Sequence, residues 1–332
     1  MPAGRSAPAR GAAVAAMLLL TMLARLPCLE AQSSRRPTVL TVDMTGKGDY
    51  RTIQEAIDAI PAAANNSTSA AIVTINVNPG IYTEKVVVNK AGVSLVGRSA
   101  TSTIVTWSGP WNQNHQSEFA LYVQATDFVA KGLTFQNTLG SKDNGPAVAA
   151  KVDADKAAFY DCRFLSYQDT LLDATGRHYY RGCYIEGATD FIFGTGKAFF
   201  ESCHLHSTSD AKGAFTAQRR STESENAGFS FFRCESTGTG VATAILGRPW
   251  GPYARVVFAL CNMSNTVAPE GWNNWDNTAN EKTAFFGQFQ CYGQGSGTQG
   301  RVTWAHNNLS PNEAAPFLTN AWVDGQDWLR PQ

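Results

Sequence analysis

The sequence predicts an all-β solenoid, a chain wound into coils that each contribute short parallel strands, and three observations carry the prediction. Short β-prone segments follow one another with Gly, Asn, Asp and Ser between them, at spacings too small for crossover helices. An aromatic–cysteine pattern recurs: Ala158-Phe159-Tyr160-Asp161-Cys162 is echoed at Tyr179–Cys183, at Phe199–Cys203 and at Phe231–Cys234, with a weaker echo at Val256–Cys261. The first two cysteine intervals are 21 and 20 residues, and the later ones, 31, 27 and 30, equal one coil plus a loop. A period near 20 in an all-β chain is the mark of a solenoid. An antiparallel sandwich with accidental echoes is the competing architecture.

The elements follow in order. Residues 1–31 read as a secretory signal peptide: Arg5 and Arg10 precede a short apolar stretch, Gly11 to Ala24, and Ala31 is a small residue at a cleavage point. That stretch is well short of the roughly 20 residues of a transmembrane helix. Residues 32–332 then form one domain. Thr52-Ile53-Gln54-Glu55 is a capping box, and Ile53, Ala56, Ile57 and Ile60 line one helical face before Pro61. Strands are predicted at Ala71 to Val77, Lys85 to Val88, Val93 to Val96, Thr103 to Trp107, Phe119 to Val123 and Phe128 to Phe135.

Composition narrows the function. The chain is 43% hydrophobic and 16% charged, which excludes disorder, and its 29 Gly and 14 Pro have no collagen-like period. Lys+Arg and Asp+Glu balance at 27 each, so no nucleic-acid partner is indicated. The eight Trp lean toward a ring-shaped ligand. Six cysteines follow the signal peptide, and none forms a CxxC pair, so a zinc site is not expected. Glycosylation sequons at Asn65, Asn66, Asn262 and Asn308 suit the secretory route.

The repeat places chemistry. Asp169 and Asp190 each lie seven residues after their coil's cysteine, so in register the carboxylates stack on neighbouring coils. Two anions that close cannot both ionise cheaply: one becomes an acid and the other a base or nucleophile. Asp190, flanked by Phe191, Ile192 and Phe193, needs a cation. Asp210 has the same offset but opens a polar stretch, and reads as a loop residue.

Gly80-Ile81-Tyr82-Thr83-Glu84, Gln168-Asp169-Thr170-Leu171, Asp190-Phe191-Ile192-Phe193-Gly194 and Leu246-Gly247-Arg248-Pro249-Trp250 stand in the order and spacing of the plant-type pectin methylesterase (pectinesterase) family, which this chain resembles from about Val39 to Trp328. Gly271-Trp272-Asn273-Asn274-Trp275 adds to the likeness. The resemblance implies a right-handed parallel β-helix with an N-terminal capping helix and a loop-built cleft, in a member without an inhibitory N-terminal region. It implies hydrolysis of pectin methyl esters with no cofactor and no metal. Asp190 would be the nucleophile, Asp169 the acid/base, Gln168 an oxyanion donor, and Arg248 the cation that aligns Asp190. Trp250, Trp272 and Phe193 would meet the sugar rings. It further implies a secreted cell-wall monomer acting on homogalacturonan, open to a proteinaceous pectinesterase inhibitor, with Cys162 paired to Cys183 and Cys203 to Cys234.

Two departures stand out. The family's second oxyanion Gln aligns with Pro146, which has neither a side-chain donor nor a backbone N–H. Gln136 or Asn144 is the candidate substitute. Leu172 stands where the family has an aromatic residue. The loss at Pro146 keeps a second reading open, a pectin-binding protein with impaired turnover. A pectin glycoside hydrolase is a third, since paired aspartates also suit that reaction.

Overall fold

In the computed structural model, which describes residues 38–61, 72–110 and 118–330, the chain winds through three sheets in turn. The sheets hold 10, 8 and 7 strands, and every strand pair between them is parallel. One full coil shows the pattern: Ala157–Tyr160 lies in the first sheet, Arg163–Leu165 in the second and Leu171–Thr175 in the third, and the next coil restarts at Arg177–Arg181. This is the parallel β-helix that the repeat predicts, and the right-handed winding is the one parallel crossovers adopt. The signal-peptide residues and Asn65 and Asn66 lie outside the described residues.

Segment boundaries shift where the coil turns. Phe128 to Phe135, expected as one strand, is two: Phe128–Lys131 in the first sheet and Thr134–Asn137 in the second. Gly132 between them takes φ +64° and turns the chain. The same corner precedes the cysteines, with φ of 52° at Asp161, 62° at Gly182, 52° at Ser202 and 55° at both Arg233 and Leu260. Only glycine adopts this left-handed conformation cheaply, so the corner rather than local propensity imposes it on the others. The cysteine echo therefore marks a turn, with its aromatic residues one strand earlier.

Inside the coils, equivalent residues stack. Phe159, Tyr180, Phe200, Phe231 and Phe258 form a column with ring centroids 5.0, 4.5, 4.5 and 4.5 Å apart and nearly parallel planes. Parallel pairing fixes that spacing, because strand neighbours lie about 4.8 Å apart. The cysteines form a second column, and here the expected pairing is corrected. Cys162 and Cys183, like Cys203 and Cys234, are free thiols. Each thiol from Cys183 onward points to the carbonyl of the coil before it, as Cys203 does to Tyr180 at 3.4 Å and Cys234 to Phe200 at 3.3 Å. Stacking brings the thiols close, and backbone carbonyls take up their hydrogens.

The capping helix, Ile53–Asp58, starts at Thr52 with both halves of the expected capping box and buries Ile53, Ala56 and Ile57. Glu84 explains the conserved-looking GIYTE segment: its carboxylate accepts the Ile53 and Gln54 N–H groups, both at 2.9 Å. A carboxylate suits the positive end of a helix. The segment therefore holds the cap and has no part in the chemistry.

Two outcomes follow from this packing. Phe200→Ala removes the centre of the ring column and should cost about 3–5 kcal/mol in denaturant unfolding, as large core truncations do. Because the thiols are free, adding reductant should leave the unfolding midpoint unchanged.

Candidate active site

The third sheet carries the candidate site on its outer face. Strand alternation sets its floor: in Leu171–Thr175, Leu171 and Asp173 point inward and Leu172 outward. Phe119, Val148, Leu172, Phe193 and Ala217 make an apolar patch there, with Tyr122 and Trp250 packed against it. Leu172, Phe193, Ala217 and Arg248 occupy one column on successive coils.

Asp169 and Asp190 sit at the corner just before that sheet. Gln168 pairs with Thr189 on the next coil, and the Asp169 N–H reaches the Thr189 carbonyl at 3.1 Å, which sets Asp169 beside Asp190. Both are left-handed, with φ of 60° and 49°. Aspartate tolerates this region better than most residues. The offset read from the sequence thus lands both carboxylates on one edge.

Arg248 reaches Asp190 from two coils away. Its Nε donates to Oδ1 at 2.8 Å and its Nη2 to Oδ2 at 2.6 Å, a bidentate fork. Ala217 stands between Phe193 and Arg248 in the column, and its small side chain leaves the path open. Trp275, not singled out from the sequence, lies over the guanidinium at 4.1 Å from ring centroid to Cζ. Its only sequence signal is its place in GWNNW.

The two acids are electrostatically unequal. Burial raises Asp190 above its ordinary value, while the hydrogen bonds and charge of Arg248 oppose the shift. Asp169 receives no hydrogen bond among the described residues; burial first and the Asp190 charge second push its pKa up to about 8. The proton shared by the pair therefore belongs on Asp169. Gln168 is partly exposed, and its amide makes no hydrogen bond among the described residues. It is free to donate to a ligand.

A third acid nearby is already committed. Asp173 is fully buried and accepts from Tyr180 at 2.8 Å, with His178 Nδ1 at 2.7 Å on the same oxygen. His178 Nε2 faces the Ala154 carbonyl at 2.9 Å, so both ring nitrogens meet acceptors and the ring is held as a cation. Burial lowers the His178 pKa, and Asp173 overcomes that to raise it. This pair props the strand from within.

Other expected residues land differently. Trp272 is 1% exposed and stacks inside the coils on Phe286 at 4.7 Å, so it cannot offer a face to a sugar. Phe193 is 4% exposed and supports Trp250, whose ring centroid is 6.0 Å away. Trp250 itself is partly exposed beside Arg248. Pro146 pairs directly with Gln168, so it is the residue stacked one coil below the amide. Neither suggested substitute fills its place. Gln136 pairs with Leu165 in the second sheet, and the Asn144 amide is bound to the Leu139 carbonyl at 2.9 Å. Asp210 is an exposed loop residue, as expected, paired with Lys142 at 2.6 Å.

A solenoid with one carboxylate held by a guanidinium, a protonated carboxyl beside it and a free amide within the same corner has the groups that acyl transfer to water requires; the class of protein it defines is a carboxylic ester hydrolase. Residues 39–326 match the model of the Pectinesterase family, and the chain belongs to that family. A relative from Arabidopsis thaliana carrying the pectinesterase name with the number 11 is 48% identical over 295 residues, covering 88% of this chain and 81% of its own. Pectinesterase 31 of the same plant is 38% identical over 309 residues, covering 88% and 95%. Among solved structures, pectin methylesterase from carrot superposes with a TM-score of 0.81 at 32% identity, covering 87% of this chain and 94% of that one. The Aspergillus niger enzyme gives 0.76 at 28% identity, covering 89% and 97%.

The raised Asp169 pKa has a consequence for stability. The folded protein holds a proton that the unfolded chain releases near pH 3.8, so stability falls as pH climbs from there to about 8. Asp169→Asn removes this dependence. Its thermal midpoint should exceed that of the wild type at pH 8, and the gap should close by pH 4.

Proposed function

We propose that this pectinesterase hydrolyses the methyl esters of pectin with Asp190 as nucleophile and Asp169 as acid and base. The bidentate Arg248–Asp190 pair carries the reading, since it keeps one carboxylate charged and aimed at a corner where the other holds a proton. An Asp190 oxygen adds to the ester carbonyl carbon of a methyl galacturonate, and the oxyanion accepts the Gln168 N–H. Asp169 gives its proton to the methoxy oxygen as the C–O bond breaks, releasing methanol and leaving an acyl-aspartyl anhydride. Water then attacks the acyl carbon, Asp169 takes the proton, and Asp190 leaves as carboxylate. Trp250 offers the ring face.

A protein that acts on wall pectin must leave the cell, and the signal peptide read at residues 1–31 supports export, with residues 32–332 as the mature domain. Among the described residues no helix is long and apolar enough to cross a membrane. Asn308 is exposed and open to a glycan. The outer face of the third sheet, with Trp250 at its edge, is where a proteinaceous inhibitor would have to sit, against a monomer.

Pro146 in register with Gln168 favours one qualification: the oxyanion meets one amide here, and turnover is slow for the family. One donor is typically worth on the order of 10²–10³ in rate. Pro146→Gln should therefore raise kcat by about 10²-fold in a methanol-release assay, and an unchanged kcat would show that the position is idle. Asp190→Ala should release no methanol while keeping its circular dichroism; new reducing ends from the wild type without methanol would identify a glycosidase instead. In the wild type kcat/KM should fall as pH rises through about 8, because Asp169 then lacks the proton that methanol needs.

A further inference from the structure

The cation Arg219 has no task in the reaction above. It is exposed, and among the described residues its side chain makes no ion pair and no hydrogen bond. Its one recorded partner is Trp250, with Cζ 5.2 Å from the ring centroid. A guanidinium lying on a ring keeps its N–H donors in its own plane, pointing past the ring edge and free for a planar acceptor. Acids close in sequence are committed elsewhere: Glu225 accepts the Ser221 N–H at 2.8 Å, and the neighbouring Arg220 turns to the Thr222 and Glu223 carbonyls.

The stub that carries Arg219 is rigid. Its N–H donates to Gly194 at 2.8 Å, and the Gln218 amide holds its carbonyl at 2.9 Å. The same Gln218 carbonyl receives the Trp250 N–H at 3.1 Å. Arg219 and Trp250 thus share one anchor. Gly194 follows Asp190 by four residues on the same coil, about 13 Å along a strand, which a polymer covers with a few rings.

We infer that Arg219 binds the free carboxylate of a galacturonate ring docked at Trp250, so that the enzyme prefers esters flanked by acid groups. A uronic acid polymer presents two states at each ring, a neutral methyl ester or an anion, and an unpaired guanidinium discriminates between them. The anion is also the product of the reaction, so each turnover supplies a ligand for this position. The inference rests on the site reading above.

The test compares two substrates, fully methyl-esterified homogalacturonan and the same polymer about half de-esterified, by methanol release. In Arg219→Ala the ratio of kcat/KM on the half-esterified polymer to that on the fully esterified one should fall about tenfold, the scale of a charge-assisted hydrogen bond. Arg219→Lys should restore part of the ratio, and the difference between wild type and Arg219→Ala should shrink as salt rises. A ratio unchanged in Arg219→Ala overturns the inference, as does an equal loss on both polymers. Asp190→Ala separates the two levels: residual methanol release there defeats the site reading, whereas a dead Asp190→Ala with an unaltered Arg219→Ala ratio defeats only the role of Arg219.

Discussion

The fork between Arg248 and Asp190 is the constraint on which the rest of the site depends. Two acids and one guanidinium share a desolvated corner, and the guanidinium can satisfy only one of them in a bidentate way. That single choice makes the acids different. Asp190 keeps its charge because both its oxygens are bonded, and Asp169, with no N–H partner among the described residues, keeps the proton. Acid and nucleophile are thus one electrostatic arrangement seen from two side chains. Trp275 closes the other face of Arg248, which holds the fork in place and shields it from water.

The solenoid supplies the distances. Parallel coils repeat at a fixed spacing, so residues at equal offsets are neighbours whatever their identity. The same rule that stacks Phe200 on Tyr180 sets Asp190 beside Asp169 and places Pro146 below Gln168. It cannot reach diagonally, however. Arg248 gets to Asp190 across two coils only because the intervening residue in its column is Ala217. A larger residue there would fill the path that the guanidinium takes.

Register also explains how a corner tolerates chemistry. Asp169 and Asp190 both adopt left-handed backbone, as do the residues that precede the cysteines at another corner. Strain of this kind persists where the surrounding sheets fix the chain on both sides. The Asp173–His178–Tyr180 cluster supports the strand between the two corners from inside, so that the outer column keeps its spacing. At Pro146 the register has the opposite effect, since no side-chain rearrangement in the coil brings Gln136 or Asn144 to that place.

The sequence by itself determined the coil architecture, because a period written in aromatic and cysteine residues survives loop insertions. It also determined that Asp169 and Asp190 adjoin, since both count from the same corner. It could not show that Phe128 to Phe135 breaks in two: the segment is uniformly β-prone, and only the coil geometry requires Gly132 to turn. The tertiary structure alone decided which tryptophans are available. Trp272 and Trp275 are three residues apart in one motif, yet one is sealed among stacked rings and the other covers Arg248. It likewise decided the state of the cysteines, which spacing allowed to pair and which the carbonyls of preceding coils hold as thiols. Facing direction and partner choice depend on neighbours distant in the chain, and those neighbours exist only once the coils have closed.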